Sequence, residues 1–310
     1  MNDDFFASNE NDLNRPIGYD QVISDLVLLQ QQNKIMPVNL FEANKGTGKR
    51  KLCEYLIIKH LGKSALQYSE LNSHPDLLII EADVSKARNE ITIEQTRKIK
   101  NFMYLTASQA NNKIILIDAV DNLNLNAANS ILKILEEPIK NCYFYLICHD
   151  SKKILATILS RANKIKLPKL DKISFSEILT HNNITENMDV LFEIFPAKPG
   201  QAIEFANSQG LDMLEAIEQE LTVKNSSDLT NIISKYNFKK ESQIFENLLA
   251  SIHYLIYKKI KNNLTNIDLI NNLNDFHAAF NKDFNAAKKI NLEKDNFVTN
   301  NINKLKKLYV

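Results

Sequence analysis

Residues 43–50 read ANKGTGKR. A working phosphate loop has the pattern GxxxxGK[ST], in which the glycines let backbone amides curve around an anion and the lysine reaches a phosphate. The final hydroxyl ligates the magnesium that bridges the phosphates. Gly46, Gly48 and Lys49 are in place here. Ala43 stands at the first glycine and Arg50 at the hydroxyl. A guanidinium has no acceptor and cannot bind a cation. Arg50 could neutralise a phosphate without metal, or it could simply fill the pocket.

The second half of a hydrolytic site is an apolar strand ending in Asp, often followed by Glu. The Asp holds magnesium and the Glu activates the attacking water. The stretch KIILIDAVD, residues 113–121, supplies Asp118, but the next residue is Ala119. Alanine can neither move a proton nor position a water. Asp121 suits a loop or helix cap, and Asp118 suits a structural carboxylate for local amides. Arg50 and Ala119 are independent defects that point the same way. Gly46, Gly48, Lys49 and Asp118 are therefore the remains of a nucleotide site, and neither a cofactor nor a metal is expected.

Two further residues could serve phosphate chemistry. His149 ends the apolar run CYFYLICH, where a residue sensing phosphate would sit; the plainer alternative is a satisfied polar side chain at a strand end. Arg161 follows Ser160 after a helical turn starting near Thr157. Five donors and a permanent charge suit it to stabilise a phosphoryl group. An exposed arginine near a helix end is also favourable with the dipole there.

These residues need a scaffold. YDQVISDLVLLQQQNK spaces Val22, Leu26 and Leu29 for a helix, and MPVNLFEA is a short apolar strand leading into the loop. KRKLCEYLIIKHLG predicts a helix with Leu52, Tyr55 and Leu56 on one face and Gly62 as its stop. The loop thus joins strand to helix, as a phosphate loop requires. HPDLLIIEA contains a second buried strand. TIEQTRKIKNFMYL opens with Thr92 and Gln95 at capping-box spacing. KIILIDAVD reads as a central parallel strand. NAANSILKILEEP puts Ala128, Ile131, Leu132 and Leu135 on one helical face, with Pro138 closing it. CYFYLICHD and NKIKLPKL are further strands. Strands alternating with helices predict an α/β core with a parallel sheet covered on both sides. Beyond Pro168 the pattern is helical throughout, with boundaries expected near 168 and 225.

The chain has 310 residues, 44% hydrophobic and 24% charged, with net charge +1. That suits several globular domains and excludes a globally basic nucleic-acid binder. The segments KRK at 49–51 and KLKK at 304–307 are only local positive spots. Cys53, Cys142 and Cys148 form no CxxC pair and lie in apolar contexts, so buried thiols are expected rather than disulfides or zinc. The acidic start MNDDFFASNENDLN is no secretory signal. No run reaches the roughly 18 apolar residues of a membrane span, and a cytoplasmic location is expected.

The order of these motifs resembles the AAA+ clamp-loader subunits of bacterial DNA polymerase III, of the delta-prime type in particular. NLFEANKGTGKRKL resembles the first nucleotide motif of that family. KIILIDAVDNLNLNAANSILKILEEP is similar to its strand-and-helix signature, and ATILSRANKIKLPKL to the segment that ends in Ser-Arg-Cys, here Ser160, Arg161 and Ala162. HPDLL and ITIEQTRKIKNFMYLT fall where the family has similar strings. The resemblance covers roughly 16–205 and implies a three-part plan. This is an AAA+ phosphate-loop-type core over 1–168, a small helical lid over 169–225, and an all-helical collar over 226–310 that assembles the oligomer.

The departures are informative. Many relatives carry a four-cysteine zinc module before the HPD segment, whereas LGKSALQYSELNSHPD has no cysteine. A hydrolysing relative of the gamma or tau type would keep the loop hydroxyl, the acidic pair and a lid arginine near KPGQA, where Gln201 and its neighbours provide none. The resemblance therefore implies a non-hydrolysing clamp-loader subunit. Its Arg161 would be an arginine finger completing the ATP site of a neighbour. The implied partners are gamma- or tau-like ATPase subunits, a delta-like subunit, the sliding clamp and primer-template DNA, the last two met through the complex. The resemblance also implies that no polymerase chemistry resides in the chain itself, although the complex it would join serves DNA-directed DNA synthesis. Two other readings stay open: an active AAA+ ATPase with an atypical loop, and a stand-alone anion- or nucleotide-binding protein with a borrowed fold. The helix QIFENLLASIHYLIYKKI carries Phe245, Leu248, Leu249, Ile252, Leu255 and Ile256, an apolar face expected to mark a partner surface.

Overall fold

A computed structural model describes residues 15–62, 71–83, 89–222, 235–236, 238, 242–289 and 294–309. The acidic N-terminal stretch through residue 14, most of the segment where the zinc module would lie, and the expected boundary at 225 fall outside the described residues. The chain divides into two compact units, residues 1–178 and 179–310.

The first unit is an α/β layer built on five parallel strands: β1 (Val38–Glu42), β2 (Leu77–Glu81), β3 (Lys113–Asp118), β4 (Cys142–Cys148) and β5 (Asn163–Lys166). Their order across the sheet is β2-β3-β4-β1-β5. The central strands are buried on both faces, which is why their sequences run apolar without alternation. On one face Leu40, Ile115, Ile117, Phe144 and Leu146 pack with α3 (Ile93–Tyr104) and α4 (Leu125–Glu136) through Ile99, Met103, Ile131 and Leu135. On the other, Phe41 and Tyr145 stack at 5.7 Å between ring centres. There α1 (Asp20–Gln31) contributes Gln30, whose Nε2 donates to Tyr145 Oη at 2.8 Å, and α2 (Lys49–Leu61) contributes the Leu56 carbonyl to the same amide at 3.1 Å.

Local sequence accounts for the helix ends. The Gln95 side chain accepts from the Thr92 N–H at 2.9 Å, the reciprocal half of a capping box. Asn124 caps α4 by accepting from the Ala127 N–H at 2.9 Å. Helix α1 buries Ile23 and Leu26 but leaves Val22 only half-buried, so its inward face is turned one residue from the expected stripe. The HPD segment is an anchor. Buried Asp76 accepts the N–H groups of Ser108 (2.7 Å), Gln109 (2.7 Å) and Ala110 (2.8 Å). Those donors hold the loop between α3 and β3 against the start of β2.

After a short helix α5 (Ala156–Leu159) and β5, α6 (Lys172–His181) leads out of the first unit. The second unit contains α7 (Met188–Ile194), α8 (Pro199–Asn207), α9 (Gly210–Thr222), α10 (Ser242–Lys261), α11 (Ile267–Lys289) and α12 (Lys294–Tyr309), and its described residues are all helical or in connections. A parallel-sheet core followed by an all-helical C-terminal region is the expected AAA+-like plan.

One expectation fails here. The apolar face of α10 is not a surplus surface. Phe245, Leu248, Ile252, Leu255 and Ile256 are all buried within this unit, and Leu249 is half-buried. Helix α10 packs on α7, α9 and α11, and Phe245 stacks on Phe284 at 4.3 Å and meets Phe297 at 5.6 Å. A helix contacted by neighbours on several sides needs a wide apolar band for its own core.

Candidate functional site

The phosphate loop leaves the C-terminal end of β1 and enters the N-terminus of α2. In an open parallel sheet, ligands bind beyond the carboxyl ends of the strands. Gly46 and Gly48 lie at φ 85° and 87°, a left-handed conformation that side chains resist, so the glycines hold the curve. The loop is pinned from outside by Tyr19, whose buried Oη donates to the Thr47 carbonyl at 2.7 Å. From inside, Thr47 Oγ1 donates to the Asn44 carbonyl at 3.0 Å.

Lys49 is turned into this curve. Its Nζ donates to the carbonyls of Ala43 (2.5 Å) and Asn44 (2.7 Å), and only 3% of the residue is exposed. Burial pushes its pKa down to about 8, against the pull of Asp121, Asp118 and the sulfur of Cys148. Two of its three donors thus serve the loop's own backbone rather than a bound phosphate.

Arg50 lies one residue further, on the first turn of α2. Its Nε donates to Glu54 Oε1 at 2.6 Å, and its Nη1 to Asp118 Oδ2 at 2.9 Å and Glu81 Oε2 at 3.1 Å. The three carboxylates come from α2, from the end of β3 and from the end of β2. The register of β2 on β3 places Glu81 directly beside Asp118. Burial works against the guanidinium's charge, but the hydrogen bonds it donates to Asp118 and Glu54 outweigh that cost and hold the proton more firmly than in free arginine. Among the described residues Asp118 is an ion-pair partner of Arg50 rather than the cap for local amides that its sequence context suggested. The magnesium expected in this kind of fold does not fit the residues present. The hydroxyl ligand is missing, the strand-end carboxylate already carries a guanidinium, and Ala119 follows it.

Asp121 takes the capping role. Its Oδ1 accepts from the His149 N–H at 2.9 Å and ties the end of β4 to the turn after β3. The imidazole of His149 is held below its usual pKa, first by burial and then by the charge of Lys49, against the pull of Asp121 and Asp118. Its Nδ1 is enclosed, with no hydrogen-bond partner among the described residues. All three cysteines are free and buried, with burial raising each thiol pKa.

Arg161 belongs to a different group, at the C-terminal ends of α4 and α5. Its Nη2 donates to Glu136 and its Nη1 to the Thr157 carbonyl at 2.7 Å. The side chain is 28% exposed. Sequence reasoning missed Glu54, Glu81 and Glu136. Signals for each were present: Glu54 is four residues from Arg50 on one helix, Glu81 is the acidic end of a second apolar strand, and Glu136 sits at a helix C-terminus, where the dipole disfavours a carboxylate.

Residues 18–171 match the family described as DNA polymerase III, delta subunit. A DNA polymerase III subunit delta-prime of Buchnera aphidicola subsp. Schizaphis graminum is 26% identical over 280 residues, 83% of this chain and 82% of the relative. One from Pseudomonas aeruginosa is 28% identical over 181 residues, 55% of each chain, so the match spans about half of that relative's length. Among solved structures, a DNA polymerase III gamma subunit-related protein from Thermotoga maritima shares the fold. It covers 92% of this chain and 99% of its own with TM-score 0.53 at 17% identity.

Proposed function

Through residues 18–171 the chain belongs to the DNA polymerase III delta subunit family, and from that premise we propose that it is a non-hydrolysing subunit of a replicative clamp loader. It joins gamma- or tau-like ATPase subunits and a delta-like subunit in the cytoplasm. The assembled complex, rather than this chain alone, opens the sliding clamp and meets primer-template DNA. The collar, about 226–310, mediates assembly, and Arg161 is donated in trans to the ATP site of the neighbouring subunit.

The observation that carries this reading is the ion pair between Arg50 and Asp118, with Ala119 next in the chain. A subunit whose own metal position is filled by a fixed guanidinium cannot run the magnesium-dependent half of phosphoryl transfer. Its contribution to turnover must then go to another subunit's site. Arg161 has the chemistry for that, because a planar, permanently charged fork stabilises charge on a transferring phosphoryl group.

The test is phosphate release by the purified chain with ATP and magnesium. The expected rate equals the enzyme-free control. Release above that control and abolished by Lys49→Ala would establish instead an active ATPase with an atypical loop.

A further inference from the structure

We propose that Glu136 is a positioning residue for Arg161, a carboxylate latch that keeps the finger folded onto its own chain until a neighbour offers phosphate. The inference rests on the trans-finger reading above.

The geometry of the guanidinium supports it. Nη2 donates to Glu136, while Nη1 donates to the Thr157 carbonyl at 2.7 Å and, at 3.4 Å, to Ser160 Oγ. Nε is buried with no partner among the described residues. Bidentate recognition of phosphate needs two parallel N–H groups on one edge of the fork. Both terminal nitrogens are engaged on this chain and Nε is enclosed, so no complete edge is free. The arginine is parked in this pose.

Glu136 stands where the helix dipole gives it no support. It is the last residue of α4, at the negative end of a 12-residue helix, where a carboxylate is disfavoured. Arg161 offsets that disadvantage. The pair joins the LEEP string to the Ser-Arg string, two sequence motifs 25 residues apart. It is also built to open. Glu136 is 46% exposed, and water screens such a pair enough that its hold is small. A phosphate brings more charge and more acceptor oxygens than one carboxylate, and it competes successfully for both N–H groups. Release frees Nη2 first, since among the described residues its bond is to Glu136 alone, and a rotation of the long side chain then clears Nε.

The test uses the reconstituted complex with the full-length chain. Glu136→Gln keeps the shape and an acceptor oxygen but removes the charge. It should raise kcat/KM for clamp- and DNA-stimulated ATP turnover about two- to fivefold. The rise should vanish in an Arg161→Ala background, and Glu137→Gln should leave turnover unchanged. In the isolated chain, solvent exchange of the Arg161 Nε proton, followed by NMR, should quicken in Glu136→Gln. An unchanged or lower kcat/KM in Glu136→Gln, the same rise without Arg161, the same rise from Glu137→Gln, or unaltered Nε exchange would each overturn the latch. If Arg161→Ala lowers turnover while Glu136→Gln does not raise it, the latch alone falls. If Arg161→Ala leaves turnover untouched, the trans-finger reading falls and takes the latch with it.

Discussion

Arg50 Nη1 lies 2.9 Å from Asp118 Oδ2, so the carboxylate that ends β3 already holds a cation supplied by its own chain. Glu54 and Glu81 complete the arrangement at 2.6 Å and 3.1 Å. Three carboxylates thus converge on one guanidinium, and the charge that would otherwise attract magnesium is used within the fold.

Arg50→Thr tests that balance. The variant regains the hydroxyl of a working loop and leaves three carboxylates without their counter-ion. In metal-free buffer it should lose about 1–2 kcal/mol of stability. Millimolar magnesium or manganese should restore part of the loss, since a ligand that binds only the folded state stabilises it. The wild-type urea midpoint should not respond to either metal. ATP hydrolysis should remain absent, because Ala119 is unchanged. Equal midpoints for the two proteins, with and without metal, would remove Arg50 as the internal counter-ion.

Arg161→Ala should leave the isolated chain folded, with a stability change of about 1 kcal/mol or less from loss of a partly exposed pair. In the reconstituted complex, turnover at the neighbouring site should fall by roughly three powers of ten or more, and the summed rate by much less if the other sites fire independently. Arg161→Lys should not restore full activity, because an ammonium lacks the planar fork. Parallel measurement of stimulated ATPase and clamp loading decides the matter; two equal rates would return Arg161 to an ordinary surface residue.

His60 sets an acid limit. Burial pushes its pKa from 6.5 down to about 4. The ring lies 3.0 Å from Tyr145 Oη through Nδ1 and 4.4 Å from the Tyr143 ring. A base whose folded pKa is depressed binds fewer protons folded than unfolded. Its neutral form is free of penalty above pH 6.5, and stability is lost as pH falls from 6.5 towards 4. The contribution is roughly 1–3 kcal/mol. His149 and His253 are depressed as well and act in the same direction. The assay is therefore a comparison of slopes: His60→Gln should flatten the dependence of the urea midpoint on pH across this window. An identical slope in the variant would assign the acid sensitivity elsewhere.

Ending the chain at residue 225 should not yield a clean core with a lid. Helix α9 buries Met213, Leu214, Ile217 and Leu221 and packs on α10 and α12. Removing those helices uncovers four apolar side chains, each worth about 1.5–3 kcal/mol of burial. The product should bind a hydrophobic dye and aggregate. A monodisperse, dye-silent fragment with native helix content would show that the lid helices stand alone.

Much of the site was legible in the sequence because its chemistry is local. The spacing of Gly46, Gly48 and Lys49 between an apolar run and an amphipathic run already places a phosphate loop between strand and helix. A position that needs a hydroxyl and carries a guanidinium is defective in any tertiary setting, and the same holds for an alanine where a base is needed. The strands were legible because β3 and β4 are buried on both faces and are apolar without a break.

What each charged group would bond to was not legible. Asp118 read as a cap for nearby amides, yet it meets Arg50 from 68 residues away, because the strand order sets β2 beside β3 and brings both acidic ends under the first turn of α2. Glu136 read as part of a helix motif and is the partner of Arg161. The band of Phe245, Leu248 and Ile252 read as a docking surface and is an internal core. Local sequence determined the elements and the defects of the loop, since backbone periodicity and side-chain chemistry act within a few residues. Only the tertiary structure decided the ion pairs and the covered faces, since those depend on which distant segments the packing brings within a hydrogen bond of one another.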